Sequence, residues 1–329
     1  MKELSEAGKR VIEGLIKYNV GIRPEENVLV LADDETDPAI RDEVVSAAKS
    51  AGGIVTLAII DKLEKPNIIR STVISKALEG ADVYICLLTL EIVKPEAVKG
   101  NMLNNGMRFI CMSGLTAELV TSPPIADVDY AKMAQLSERV HKLFAETDLV
   151  EITSPAGTDF RFSIKGRKGG GITNGVAREI GTQAWIPAGD VYAGANHGSA
   201  NGTVVLHYFQ TMGKFKKPLR LIIEKSWIVG VEGGEEAERE KFKSIIYGHE
   251  NGNYVAEALG FGLNDKAFFT GQPDLLMEKM MLGVIHIGIG DSTAYGLDIK
   301  CDFHMDGAIL NPTLKLDGKI VMDNGKLRI

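Results

Sequence analysis

The pattern of apolar residues changes near residue 148 and divides this 329-residue chain into two parts. The first part contains four apolar runs, and segments with apolar residues at helical spacing separate them. The runs are NVLVLAD (27–33), IVTLAII (54–60), DVYICLL (82–88) and RFICMS (108–113). Short apolar runs of this kind are typical of buried strands. Strands that alternate with helices favour βαβ units, in which the strands pair in parallel. We therefore predict a Rossmann-like α/β domain with a parallel sheet over residues 1–148.

The second part, residues 149–329, has short alternating runs separated by glycine-containing turns. A helix is predicted to precede it, over about residues 126–146, because Met133, Leu136 and Val140 recur at helical spacing. The C-terminal run TLKLDGKIVMDNGKLRI places Asp-Gly and Asn-Gly between alternating segments, which is a strong hairpin signal. We predict a mostly antiparallel, barrel-like β domain here, so that the chain combines α/β with α+β architecture.

Several common functional motifs are absent from the sequence. No G-x-G-x-x-G follows the first predicted strand, and Asp33, Asp34 and Glu35 at its end would repel phosphate, so dinucleotide binding is not expected. The chain has no H-E-x-x-H zinc helix and no strand–turn–helix nucleophile elbow. A thermolysin-type zinc helix is therefore excluded, and a serine hydrolase has no support in the sequence.

The charge and cysteine content restrict the partners and the compartment. Lys and Arg number 37 against 44 Asp and Glu, and the net charge is -7, which gives no footprint for nucleic acid or for an anionic membrane. Cys86, Cys111 and Cys301 are widely spaced, odd in number and set in apolar surroundings, so we expect free thiols. The N-terminal segment is charged throughout, unlike a signal peptide. We expect a cytoplasmic protein.

The stretch from His286 to Gly307 carries the strongest functional signal. VIHIGIG alternates bulky apolar residues with His or Gly, and CDFHMDG suits a second strand after the connection DSTAYGLD. Residues two apart on a strand face the same way, so His304 and Asp306 share one face and Phe303 and Met305 the other. An imidazole and a carboxylate on one strand face form half of a metal site. The alternative is a buried histidine that hydrogen-bonds its neighbour.

Two acidic residues upstream are further candidates. Glu257 lies between alanines in an apolar segment, where a carboxylate is costly unless it is paired or bound to a metal. A salt bridge to a lysine is the alternative there. Asp190 follows a Pro and a Gly, where a turn-forming role is common. His197, in a turn-like loop near Asp190, is an alternative residue for the wall of the site.

Taken in order, these residues and Tyr295 resemble the metal-site residues of the thermophilic metallo-aminopeptidase family, which contains aminopeptidases T and S. The matching motifs are PAGDVY, the glutamate before the GFGLN turn, HIGIG and FHMDG, which together cover most of residues 150–310. Two of the candidate site positions depart from the family pattern. Asp190 stands where the family typically has Glu, and the gap between His286 and Tyr295 is longer.

The resemblance implies a metal-dependent aminopeptidase that removes N-terminal residues from peptides, acting as a homodimer. It implies a pair of divalent ions, of zinc, cobalt, magnesium or manganese, with Glu257 as the bridging carboxylate. A metal-bound water would attack the scissile carbonyl, and Tyr295 would donate a hydrogen bond to the developing oxyanion. The implied metal ligands are Asp190, Glu257, His286, His304 and Asp306.

A related branch of the same family contains an iron-dependent dioxygenase that opens 2,5-dihydroxypyridine. The layout of this chain, including GFGLN and the His-x-Asp strand, is similar to that branch too. There a single Fe(II) would need two histidines and one carboxylate, which His286, His304 and Asp306 could supply. A non-catalytic relative that only binds a metal or ligand is the third alternative.

Overall fold

The computed structural model describes residues 4–62, 71–90, 96–167, 171–273 and 277–329. They form two compact units. The first consists of the described residues of Met1–Ala134 together with Thr173–Ala188, and the second of Gln135–Ile172 together with Gly189–Ile329. The predicted domain boundary at residue 148 lies inside the second unit.

The helices and strands follow the chain in this order. The helices are α1 (Glu6–Gly14), α2 (Pro38–Ser50), α3 (Thr72–Glu79), α4 (Glu96–Asn105), α5 (Ala117–Val120), α6 (Pro123–Ala126), α7 (Tyr130–Glu146), α8 (Glu236–Tyr247) and α9 (Met277–Met280). A π-helical turn follows α1 at Leu15–Val20, and a 3₁₀ turn lies at Thr293–Tyr295. The strands are β1 (Asn27–Asp33), β2 (Ile54–Ile60), β3 (Val83–Cys86), β4 (Arg108–Cys111), β5 (Leu149–Thr153), β6 (Asp159–Ser163), β7 (Gly171–Thr173), β8 (Gln183–Trp185), β9 (Asp190–Ala193), β10 (Asn201–Phe209), β11 (Gly213–Glu224), β12 (Trp227–Gly233), β13 (Val255–Gly262), β14 (Val284–Gly290), β15 (His304–Leu310), β16 (Thr313–Leu316), β17 (Lys319–Asp323) and β18 (Lys326–Leu327).

The first unit contains the predicted parallel sheet. Its strand order is β2-β1-β3-β4-β8, and each neighbouring pair is parallel. Asp37 caps α2 by accepting a hydrogen bond from the Ala39 amide at 2.9 Å, and Pro38 occupies the first turn, where its missing N–H costs no helical hydrogen bond. The buried Asp33 carboxylate accepts hydrogen bonds from Thr36 and from the amide and hydroxyl of Thr89. This carboxylate therefore holds loops together at the strand end.

The first α-helix is shorter than the apolar pattern of its sequence. Its apolar spacing continues through residue 18, but α1 ends at Gly14 and the chain continues as the π-helical turn. Gly21 then ends the segment in the left-handed region, with φ of 63°, which glycine adopts without steric cost.

The second unit is built on a curled antiparallel sheet, which confirms the predicted barrel-like part. The path runs β18-β17-β16-β5-β6-β10-β15-β14-β13-β9-β7, and β11 and β12 extend from β10. One face of these strands packs with α7 and α8 into a core that includes Phe144, Phe242 and Ile287. Burying one such side chain stabilises the fold by about 1.5–3 kcal/mol. The opposite face of β9, β13, β14 and β15 carries the polar residues considered next.

Within the described ranges, no helix combines the length and the apolar character that crossing a membrane requires. Cys86, Cys111 and Cys301 are free thiols, as the sequence predicts.

Candidate metal centre

Four adjacent strands bring the predicted ligands together. Their order is β9-β13-β14-β15, although β9 and β15 are more than a hundred residues apart in the chain. On each strand, apolar residues such as Val191 and Ile287 face the core and alternate with polar residues that face the site. We call Asp190, Glu257, His286, His304 and Asp306 the five-residue centre.

An irregularity in β13 places Glu257 in the centre. The register of β13 against β14 shifts between Glu257 and Gly260, so these residues, three apart, face the same side. A regular strand would direct residues three apart to opposite faces, and a bulge reverses that relation. The bulge therefore lets one strand contribute both a carboxylate and the glycine next to it.

The donor atoms of the centre form two groups in the described part of the chain, and both groups include Glu257. In the first, His286 Nε2 lies 2.9 Å from Glu257 Oε1 and 3.8 Å from Asp190 Oδ2. In the second, His304 Nε2 lies 3.3 Å from Asp306 Oδ1 and 4.0 Å from Glu257 Oε2. The Glu257 carboxylate thus lies between two imidazoles.

The chemistry of this donor set fits a divalent cation. Asp190 and Glu257 are each 2% exposed and His286 is 1% exposed. Glu257 Oε1 and Asp306 Oδ1 lie within ion-pair distance of an imidazole nitrogen but accept no well-directed hydrogen bond from the described residues. His286 Nδ1 has no hydrogen-bond partner among those residues. Buried carboxylates are costly unless they are paired or bound to a metal, and imidazole with carboxylate is a common ligand combination for divalent transition metals.

Two glycines leave the space that the imidazoles occupy. A Cβ added at Gly260 would overlap His286 Nε2 and Glu257 Oε1, and one added at Gly288 would overlap His304 Cε1 and Nε2. These glycines belong to the GFGLN and HIGIG motifs. Their role is therefore steric, because any larger residue would occupy the position of an imidazole.

Hydrogen bonds fix the orientation of the His304 ring. Its Nδ1 lies 2.8 Å from the Asp291 carbonyl oxygen, which can only accept, so Nδ1 carries the proton and Nε2 presents a lone pair in the neutral ring. The Tyr295 hydroxyl lies 2.8 Å from that Nε2, and the two rings stack with centroids 4.9 Å apart. Arg167 holds the backbone of this loop by donating to the carbonyl oxygens of Tyr295 and Gly194.

Charge balance at the centre involves a lysine. Lys279 Nζ lies 3.1 Å from Asp306 Oδ2, which leaves Oδ1 directed at His304. Burial opposes ionisation of Asp306, but Lys279 and His304 hold its pKa below the usual range. Burial raises the pKa of Asp190 to about 7. Burial alone would lower the pKa of His286, but the nearby carboxylates raise it to about 9.

The pKa values of Tyr295 and His304 are also shifted. Burial raises the pKa of Tyr295 well above its ordinary value, so its hydroxyl stays protonated. Burial would lower the pKa of His304, but the adjacent Asp306 carboxylate raises it. In this arrangement, the histidines gain protons where carboxylates crowd together. A bound cation would replace those protons.

The predicted metal-site residues lie together in the structure, whereas the alternative residue, His197, lies outside this group. His197 stacks on Tyr254, with its Nδ1 3.2 Å from the Tyr254 hydroxyl, and is not among the donor groups. Sequence reasoning missed Lys279 and Glu278, which lie against the centre. The available signal was a charged pair inside the apolar run LLMEKMML.

Comparison with known proteins identifies the family. A sequence profile of the 2,5-dihydroxypyridine 5,6-dioxygenase (NicX) family matches residues 18–329. The chain belongs to this family. The 2,5-dihydroxypyridine 5,6-dioxygenase of Pseudomonas putida KT2440 is 28% identical over 265 residues, which cover 75% of this chain and 71% of that protein.

Solved structures agree on the fold. A 2,5-dihydroxypyridine dioxygenase from Pseudomonas putida KT2440 is similar to this NicX-family chain with a TM-score of 0.84 and 21% identity, covering 98% of this chain and 96% of that one. Wild-type AmpT from Thermus thermophilus is similar with a TM-score of 0.68 and 14% identity, covering 98% and 99%. The resemblance to aminopeptidase T therefore holds for the fold.

The predicted aminopeptidase activity is wrong. The family match and the curated relative both point to a dioxygenase, so the hydrolase and metalloprotease assignment fails, and the peptide substrate was part of that assignment. The physical reason is that the same ligand types serve both chemistries. Imidazoles and carboxylates can hold an ion that activates water or one that activates dioxygen. Fold likeness does not separate the two.

Proposed function

We propose that this protein is an Fe(II)-dependent dioxygenase that opens the ring of 2,5-dihydroxypyridine or a closely similar dihydroxylated N-heteroaromatic compound. The observation that supports the proposal most directly is the family match, which extends over residues 18–329. The centre is compatible with it, because two imidazoles and a carboxylate are the ligand set of many non-heme iron oxygenases.

The five-residue centre would hold the iron. His286 and His304 would supply the imidazoles, with Asp306 as the carboxylate of the triad expected from the sequence. Glu257 approaches both imidazoles and Asp190 lies next to His286, so either carboxylate can complete the ligand set. When bound, Fe(II) would supply the redox chemistry that joins dioxygen to an electron-rich ring.

The residues around the centre would orient its side chains and donate a hydrogen bond to the substrate. Asp291 would keep the proton of His304 on Nδ1, so that Nε2 stays available to the ion. Lys279 would hold Asp306 through Oδ2 and leave Oδ1 free. Tyr295, which keeps its proton, can donate a hydrogen bond to a hydroxyl or oxyanion of a substrate next to His304.

The test compares metal-free protein with protein loaded anaerobically with Fe(II). We expect 2,5-dihydroxypyridine to disappear only with Fe(II) and oxygen, with one dioxygen consumed per substrate and a product heavier by both oxygen atoms in mass spectrometry. Zinc-loaded protein and an anaerobic sample serve as controls. Oxygen-independent turnover, or full activity of the zinc-loaded protein, would contradict the proposal.

Variants locate the chemistry. Asp306→Ala should lose iron and activity together, because it removes a carboxylate whose Oδ1 faces His304. His141→Ala is the matched control: this histidine lies on α7 and is not part of the donor groups of the described residues, so iron content and activity should persist. Equal losses in both variants would indicate general destabilisation.

The expected homodimer and the cytoplasmic location stay predictions. Light scattering on the purified protein measures the first directly. Cell fractionation measures the second.

A further inference from the structure

The two histidines of the centre, His286 and His304, differ in the hydrogen bonding of their Nδ1 atoms. His304 Nδ1 is bound to the Asp291 carbonyl, whereas His286 Nδ1 is buried and has no hydrogen-bond partner among the described residues. Histidines that bind metals almost always donate their second N–H to a carboxylate, a carbonyl or a water. No direct contact within the described part of the chain supplies that acceptor for His286.

A small cavity lies next to His286 and has room for about one water molecule. Its lining comes from β10, α9, β14 and β15: Tyr208, Gln210, Glu278, Lys279, His286, Asp306, Gly307 and Ala308. The cavity is therefore lined by two members of the five-residue centre, His286 and Asp306, and by a carboxylate outside it, that of Glu278. A buried water in such a place needs two or more polar partners, and Gln210, Glu278 and His286 are among the residues that line the cavity.

Glu278 has one oxygen engaged and one unpaired. Its Oε1 accepts hydrogen bonds from the Thr270 and Gly271 amides, each at 2.7 Å, and from the Thr270 hydroxyl. Its Oε2 is buried without a hydrogen-bond partner among the described residues, and the residue is 1% exposed. The bonds at Oε1 hold the carboxylate in place while Oε2 stays available.

We propose that Glu278 is a positioning residue for His286 and acts through one water molecule in this cavity. The water accepts a hydrogen bond from His286 Nδ1–H and donates one to Glu278 Oε2. An ionised carboxylate can only accept, so this arrangement keeps the proton on Nδ1. The Nε2 lone pair then faces Asp190 and Glu257 and can bind a cation. The inference rests on the proposed metal role of the five-residue centre.

Glu278→Gln separates this role from a merely structural one. The amide oxygen can still accept from Thr270 and Gly271, but the other end becomes an NH2 donor, which no longer favours a proton on His286 Nδ1. Thr270→Val is the matched control, since it removes one hydrogen bond from Oε1 and leaves Oε2 unchanged. Both variants are titrated with Co(II), and their affinity, visible absorption spectrum and metal-free urea unfolding midpoint are measured.

We expect Glu278→Gln to weaken Co(II) binding about 10–100-fold and to shift the Co(II) spectrum, the loss typical of an outer-shell partner. Thr270→Val should keep the wild-type affinity and spectrum. Wild-type affinity in Glu278→Gln would overturn the proposal, as would an equal loss in Thr270→Val. A wild-type protein that binds Co(II) but opens no ring would refute only the proposed function. A wild-type protein that binds no metal would refute both.

Discussion

Replacing Gly288 by Ala tests whether the glycine of HIGIG exists to make room for a ligand. The new Cβ would overlap His304 Cε1 and Nε2 and approach Glu257 Cβ at 3.0 Å. To regain an ordinary contact of about 3.5 Å, the ring must move by about 1 Å. Metal–ligand distances tolerate changes of only about 0.2 Å. The displaced imidazole would therefore no longer bind the ion.

The expected losses differ for metal binding and for folding. Removing an outer-shell partner costs about 10–100-fold in metal affinity, or about 1.4–2.7 kcal/mol, and displacing the ligand itself should cost at least that. Overpacking costs folding about 1–3 kcal/mol, offset by about 0.4–1 kcal/mol because alanine restricts the unfolded chain. The metal-free protein should therefore stay folded.

The assay pairs Co(II) titration with urea unfolding of the metal-free protein. Gly230→Ala is the control, because Gly230 also lies in a strand and its Cβ would meet only the Ile222 side chain, at 3.2 Å or more. We expect wild-type affinity in this control. Wild-type affinity in Gly288→Ala would refute the argument, since it would mean that His304 does not bind the ion or that the space at Gly288 is not needed.

Three further variants probe the surroundings of the centre and the scaffold. Lys279→Met removes the cation 3.1 Å from Asp306 and should destabilise the metal-free protein by about 3 kcal/mol, with part of the loss recovered on adding metal, as urea unfolding measures. Tyr295→Phe removes the 2.8 Å contact with His304 Nε2 and should lower the free energy of unfolding of the metal-free protein by about 0.5–1.5 kcal/mol. Metal content should persist, because the Asp291 carbonyl still holds His304 Nδ1 and so orients the ring. Loss of the metal would contradict this. Asp37→Ala removes the cap of α2 and should lower stability by about 0.5–2 kcal/mol with unchanged Co(II) affinity.

Local patterns were sufficient for much of the scaffold. The runs that became β1 and β2 are short and apolar, and the Asp37-Pro38 start of α2 depends on neighbouring residues alone. The shared face of His304 and Asp306 follows from the two-residue period of a strand, and their atoms lie 3.3 Å apart. Such features depend on contacts within a few residues, so a single sequence predicts them.

The types of residue at the centre were not sufficient to predict the reaction. The same histidines and carboxylates fitted an aminopeptidase and a dioxygenase, because ligand softness and charge select an ion and not the reaction that it supports. The family match, which draws on residues along nearly the whole chain, favours the dioxygenase.

The sequence by itself determined that this chain has a parallel α/β part, an antiparallel β part and a set of residue types that can bind a metal. Only the tertiary structure decided which side chains meet. The bulge that turns Glu257 toward the two imidazoles, the pairing of Lys279 with Asp306 and the cavity between Glu278 and His286 all depend on strands and a short helix from distant parts of the chain. Their relative positions are set by the packing of the whole second unit, and no local pattern of residues encodes them.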